Sequence, residues 1–337
     1  MNVRKLLALL ALSLAANMAV AQDAPLLYRQ TAKWVIGGEG GWDDLAIDKA
    51  GNRLFVAHGS LFEAIDLATG KKVGEIPASG AHGVAIDADH HLGFGTNGRT
   101  GSVTAFDLAT LKPVEEIKTG EGPDAIVYDP HSGAILVMNS RSQTIAVIDP
   151  ATRKVTATIP AGGKLEAAVA DASHLYVNIE DRGEIAVVDT HSWKIVRRWP
   201  LAGCEEPSGL AIDEQSGRLF SVCGNAKMIV VDTATGRQIS SLPTGKGTDG
   251  AACDPAQHLA FASNGEGTLT IVRAGSDGQY LVAGNVATAR GARTMVLDPS
   301  THNIYLATAD FGPSTEGQRR PPIKPGSFAI LVYSPVK

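Results

Sequence analysis

Five side chains able to carry a proton or hold a cation recur at one place in this sequence. Asp43, His82, Asp124, Glu166 and Asp249 each stand five residues before an aspartate that closes a short apolar run, and Ser208 and Arg293 occupy the same place in two further copies. Four carboxylates and one imidazole on a common rim are donors suited to a hard or borderline divalent cation, which would polarise an ester or lactone. His82 would then act as acid or base in a metal-assisted hydrolase or lyase. The same rim without a metal would be a polar mouth that binds a small ligand, a peptide or a protein partner. An acid at a repeated position is also explained by a repeated structural duty, so the spacing alone does not choose.

The elements that position these residues are repeats. The closing aspartates are Asp48 (LAID), Asp87 (VAID), Asp129 (IVYD), Asp171 (AVAD), Asp213 (LAID), Asp254 (AACD) and Asp298 (MVLD), with steps of 39, 42, 42, 42, 41 and 44. A second aspartate recurs in DLATG-like strings at Asp66, Asp107, Asp149, Asp189 and Asp232. The stretch GNRLFVAHGSLFEAIDLATGKKVGEIP (51–77) shows the unit: strand-length runs of β-branched and aromatic residues, separated by Gly, Asn and Asp turns, with no helical period. Adding the run that ends at Asp48 makes four strands per repeat. Seven such repeats predict an all-β, seven-bladed β-propeller with four antiparallel strands per blade. No outer strand follows the last copy, FAILVYSPVK, whereas YRQTAKWVIGG (28–38) carries that pattern, so the N-terminal strand should complete the final blade.

The units RLFVAH, HLYVNIE and IYLATA, with VIDPATRKVTATIPAG-like segments, resemble the YVTN-type repeat of YncE-like seven-bladed propeller proteins over nearly all of 28–335. Arg273 and Ser334 depart from it by replacing the turn aspartate in blades six and seven. The resemblance implies an exported binding protein and assigns no catalytic residue.

Strand order sorts the loops by face. The loop entering each first strand and the turn between second and third strands share one face, so the ring from Asp43 to Arg293 should rim one mouth of the central channel. Ten residues after each closing aspartate, with two residues deleted in blade four, lie His58, Asn97, Asn139, Asn178, Cys223, Asn264 and Thr308, expected on the same face farther out. Of the histidines only His58 and His82 share that face; His90, His91, His131, His174, His191, His258 and His302 fall in turns of the other. Arg99, Arg141, Arg182 and Lys227 add basic outer loops, and Trp42 near the mouth could stack a nucleobase, a minor single-strand nucleic-acid reading. The insertion DFGPSTEGQRRPPIKPGSF (310–328), with Arg319, Arg320 and Lys324, is long enough to suggest a lid or docking arm over the same face. GKGTDG (245–250) fits a dinucleotide string, but a strand follows it, so no helix N-terminus is there to hold pyrophosphate.

Arg4 and Lys5 ahead of LLALLALSLAA, then Ala19-Val20-Ala21, read as a cleavable signal peptide over residues 1–21, followed by a single domain over 22–337. The apolar run is shorter than the ~20 residues a spanning helix needs. Cleavage would move the formal charge from −5 to −7, which disfavours nucleic acid and anionic membrane as default partners. A periplasmic or secreted setting permits disulfides. Cys204 and Cys223 map to the same face of blade five and are expected to pair, whereas Cys253 maps to blade six near the other face as a buried free thiol.

Overall fold

The computed structural model describes residues 27–275, 278–313 and 321–336; the expected signal peptide, Arg319 and Arg320 lie outside them. Among these residues the strands form seven four-stranded antiparallel sheets, with one short 3-10 turn at Glu180–Arg182. Blade one runs Trp42–Asp48, Arg53–His58, Leu61–Asp66 and Lys72–Pro77 in spatial order, and blades two to six repeat that order. Blade seven is built from both ends of the chain. Its inner strands are Met295–Asp298, Asn303–Thr308 and Ala329–Pro335, and Tyr28–Val35 pairs outside them from Tyr28 opposite Pro335 to Val35 opposite Ala329. First strands neighbour one another around the ring, blade seven against blade one included.

The apolar core is divided into seven wedges, each between two blades. Leu136, Met138 and Val147 of blade three meet Leu165, Val177 and Val188 of blade four, and Phe55 and Phe62 of blade one meet Val84 and Phe106 of blade two. Middle strands therefore bury both faces, which is why they read as unbroken apolar runs, while outer strands such as Lys154–Pro160 alternate exposed and covered residues. Tyr28, fully buried, lies edge-on to Phe261 at 5.2 Å in the wedge between blades six and seven. Burial of such a side chain stabilises by roughly 1.5–3 kcal/mol, which fastens the terminal strand.

The recurring aspartates are turn fixtures. Asp48 Oδ1 accepts from Gly51 N at 2.9 Å, Asp129 Oδ1 from His131 N at 3.0 Å and Asp298 Oδ1 from Ser300 N at 2.9 Å. In the DLATG turns, Asp66 Oδ1 accepts from the Thr69 amide and hydroxyl at 2.8 and 2.6 Å, and Asp232 repeats this with Thr235. These bonds to the ionised form hold Asp66 and Asp232 below the usual carboxylate range. Gly70 and Gly236 end their turns at φ 67° and 71° beneath the indoles of Trp34 and Trp199 from the preceding blades, so a Cβ would meet a ring.

One register in the fourth blade differs from its expected place. Ile179 pairs with Glu184 as Asn139 pairs with Thr144, which places Asn178 one residue earlier, in register with Thr96 and Ser263. With the turn after Asp171 two residues shorter, the ring position falls on Ile179, and Asn178 one residue before it turns toward blade five, where its Nδ2 donates to Ser208 O at 2.9 Å.

Candidate functional site

A β-bulge sets the mouth. In blades one to six the ladder between first and second strands slips at the ring positions, between Trp42 and Leu45, Ala81 and Val84, Pro123 and Ile126, Leu165 and Ala168, Pro207 and Leu210, and Thr248 and Gly250. A bulge bends the strand and re-aims its side chains, here at the mouth. All seven ring residues are half-buried.

The ring divides into three groups. His82 Nδ1 donates to Asp43 Oδ2 at 2.7 Å and lies 3.5 Å from Asp124 Oδ1, and one ligand atom from each of the three lies within 4.8 Å of the others. Asp249 Oδ2 instead accepts from Arg293 Nε at 2.7 Å. Glu166 shares Lys164 with Glu180, the Lys164–Glu166 distance being 3.2 Å. The four carboxylates thus do not converge on one point.

The charges around the ring shift its acids. Burial, then the charge of Asp43, pushes Asp124 up to about 6. Burial, then Asp124, pushes Glu166 up to about 9, while Glu180 and Glu166 overcome the burial penalty on Lys164 and raise it to about 12. The bond to Asp43 raises His82. Asp44, unmarked by the sequence reading, is reached by water yet feels Asp43, Asp124, Asp249 and His82, which places it within the channel. Confinement there, then those carboxylates, holds its pKa well above the ordinary value. The other blades carry Gly83, Ala125, Ala167, Gly209, Gly250 and Thr294 at its register, a contrast that the repeat alignment contains.

Beside this ring a cavity of about 600 Å³ opens on the same face, walled by Glu166, Glu180, Glu206, Asp249, Arg290 and Arg293 among its polar residues. Trp42, Phe311, Pro321 and Ile323 form its apolar wall, so the described ends of the insertion line one side of the mouth. Its two described ends hold each other: Phe311 bridges Ile323, Gly312 N donates to Pro322 O at 2.8 Å and Lys324 N to Asp310 O at 2.8 Å. Gly291, at φ 83°, leaves room for Phe311. Glu180, Glu206 and Arg290 escaped the sequence reading because they lie outside the register that was followed.

The second expected ring is structural. Asn97 Oδ1 accepts from Ser79 N at 2.8 Å, Asn264 Oδ1 from Thr248 Oγ1 at 2.5 Å, and Thr308 Oγ1 donates to Arg290 O at 3.0 Å, tying each turn to its entry loop. His58 belongs to this set, not to the mouth. It is 2% exposed, stacked on Phe328 with centroids 3.9 Å apart, with Nδ1 3.5 Å from Glu63 Oε1. Trp42 is 7% exposed and packed by Phe311 and Phe328, which leaves no face for a base. Arg182 lines a groove with Glu180, Asp181, Glu205 and Glu206, and Lys227 Nζ donates to Gly203 O at 2.8 Å, so Lys227 serves a local partner.

Cys204 and Cys223 form the expected disulfide, their Cα atoms 5.4 Å apart. It ties the loop carrying Glu205 and Glu206 to the second strand of blade five. Cys253 is free and half-buried, less enclosed than expected because first strands border the channel. Among the described residues no helix is long and apolar enough to cross a membrane.

No family model matches the chain, and no curated protein matches it. Solved structures do. The hydrazine synthase of Kuenenia stuttgartiensis aligns with TM-score 0.68 and 19% identity over 81% of this chain and 94% of that one. U3-55K aligns with TM-score 0.76 and 11% identity over 92% and 98%, and the WD40 repeats of RRP9 with 0.77 and 10% over 93% and 99%. Identities this low speak for the fold alone, and the chain is a seven-bladed, all-β propeller.

Proposed function

We propose that this protein is an exported propeller of the YncE-like kind that binds a small ligand or peptide, without catalysis, on the face carrying Asp43, His82 and the 310–328 insertion. The observation that carries the reading is the cavity of about 600 Å³, a size typical of ligand sites, with an apolar wall and convergent polar groups. Export is supported by the leader composition and by the Cys204–Cys223 disulfide, a bond of oxidising compartments. Two measurements test the reading. N-terminal sequencing of exported protein should begin at Gln22, and retention of Met1 would count against export. A metabolite and peptide library read by thermal shift should give hits that Phe311→Ala abolishes; hits unaffected by that change would move the site elsewhere.

A second reading has its own observation, the close set Asp43, His82 and Asp124. A divalent cation there could polarise a bound carbonyl. Elemental analysis of purified protein, with melts with and without chelator, tests it: no metal and no shift would remove it.

A further inference from the structure

Glu206 stands where five other blades place glycine, four of them in the left-handed region. Seven residues before the closing aspartate lie Gly80, Gly122, Gly247 and Gly291, with φ of 72°, 60°, 65° and 83°. The entry loop turns there through the left-handed region, which glycine adopts freely and residues with a Cβ adopt at a cost. Blade five keeps the turn at φ 50° on Glu206, directly before Pro207, where an extended conformation is normally favoured. The Cys204–Cys223 disulfide secures this loop from one side, and Gly224 N donates to the carbonyls of Glu205 and Glu206 at 2.8 and 3.1 Å from the other. Strain held this firmly is characteristic of a ligand-facing position. What it delivers is a carboxylate on the cavity wall, near Glu180 and without a cation partner among the described residues.

The same cavity holds a cation in the complementary condition. Arg290, in the entry loop of blade seven, places its guanidinium 5.6 Å from the centre of the Phe311 ring and has no carboxylate partner among the described residues, whereas Arg293 beside it is matched by Asp249. A carboxylate in blade five and a guanidinium in blade seven therefore flank an apolar wall of Trp42, Phe311, Pro321 and Ile323. We propose that the cavity takes a short peptide with free termini, its ammonium at Glu206 and Glu180, its carboxylate at Arg290 and its body against Phe311 and Ile323. This names the ligand class of the mouth site and rests on the binding reading above. The volume suits two or three residues and excludes a longer folded partner from the same space. Two separated, opposite charges reject ligands that carry only one, because the unmatched group is left desolvated.

The test uses the full mature chain and a degenerate tripeptide pool with free termini, run beside the same pool N-acetylated, C-amidated and blocked at both ends, with bound species counted by native mass spectrometry. Free tripeptides should bind one to one, and each single block should weaken binding about tenfold or more. Glu206→Gly should cut the cost of N-acetylation severalfold, Glu180 remaining, and Arg290→Met should make amidation costless. Glu206→Gly restores the residue that this turn prefers, so its melting temperature should not fall and lost discrimination cannot be blamed on misfolding. Equal binding of the doubly blocked pool, or discrimination that survives both substitutions undiminished, would overturn the inference. If no tripeptide form binds but a library compound binds in a way that Phe311→Ala abolishes, the peptide inference fails and the mouth-face reading stands. If neither binds there, both fail.

Discussion

Nδ1 of His82 lies 2.7 Å from Oδ2 of Asp43, a hydrogen bond that crosses from the second blade to the first at the rim of the channel. With Asp43 ionised the imidazole donates, the charged ring is favoured, and the pKa of His82 rises. The contact therefore contributes stability below the unfolded value of ~6.5 and loses it as pH rises through the folded one. The side chain is 40% exposed, so the contribution is small and the titration is the better readout. In chelator-treated protein, Asp43→Asn should lower the His82 midpoint followed by NMR; an unmoved midpoint would mean that the bond is not made in solution.

Glu166 should tilt stability the other way. Its carboxyl titrates at about 9 when folded against ~4.3 when unfolded, so the native state binds the extra proton and stability declines as pH climbs between those values. Glu166→Gln imitates the protonated form and should flatten that slope in urea unfolding between pH 5 and pH 8. Parallel slopes for the two proteins would contradict the shift.

The disulfide closes a sequence separation of 19 residues, for which chain entropy gives a stabilisation of ~3 kcal/mol. Cys204→Ala with Cys223→Ala should lower unfolding stability by about 2–4 kcal/mol in denaturant titration. Cys253 should react slowly with a thiol reagent in the folded protein, because burial pushes its pKa up to about 12. Rapid labelling before unfolding would contradict that enclosure.

Gly236→Ala should cost more than ~1 kcal/mol, since the new Cβ meets the Trp199 indole and the backbone is held at φ 71°. Gly133→Ala, at φ 68° with open space around it, is the control that isolates backbone strain. Equal losses would mean that the indole yields without cost.

Tyr28→Ala should destabilise by about 3–5 kcal/mol, because the side chain is fully buried between blades six and seven and fastens the strand that closes the ring. Equilibrium unfolding measures it; a loss under ~1 kcal/mol would mean that the strand is held by its ladder alone.

Blade number, strand order, closure by Tyr28–Val35 and the Cys204–Cys223 pairing were all legible in the sequence, because each follows from local turn chemistry repeated at a steady period. Asp66 and Thr69 make the same turn wherever they recur, whatever surrounds them. The partners of the ring residues were decided by the tertiary structure. Asp43 takes His82, Asp249 takes Arg293 and Glu166 takes Lys164, and these choices depend on bulges and on how seven strands converge at the mouth. His58 shows the same limit, its register predicting the face while Phe328, 270 residues later, covers it. Glu206 belongs to blade five, Arg290 and Phe311 to blade seven, and the three share no register. Only closure of the ring, which brings residues far apart in sequence to one cavity wall, makes them neighbours.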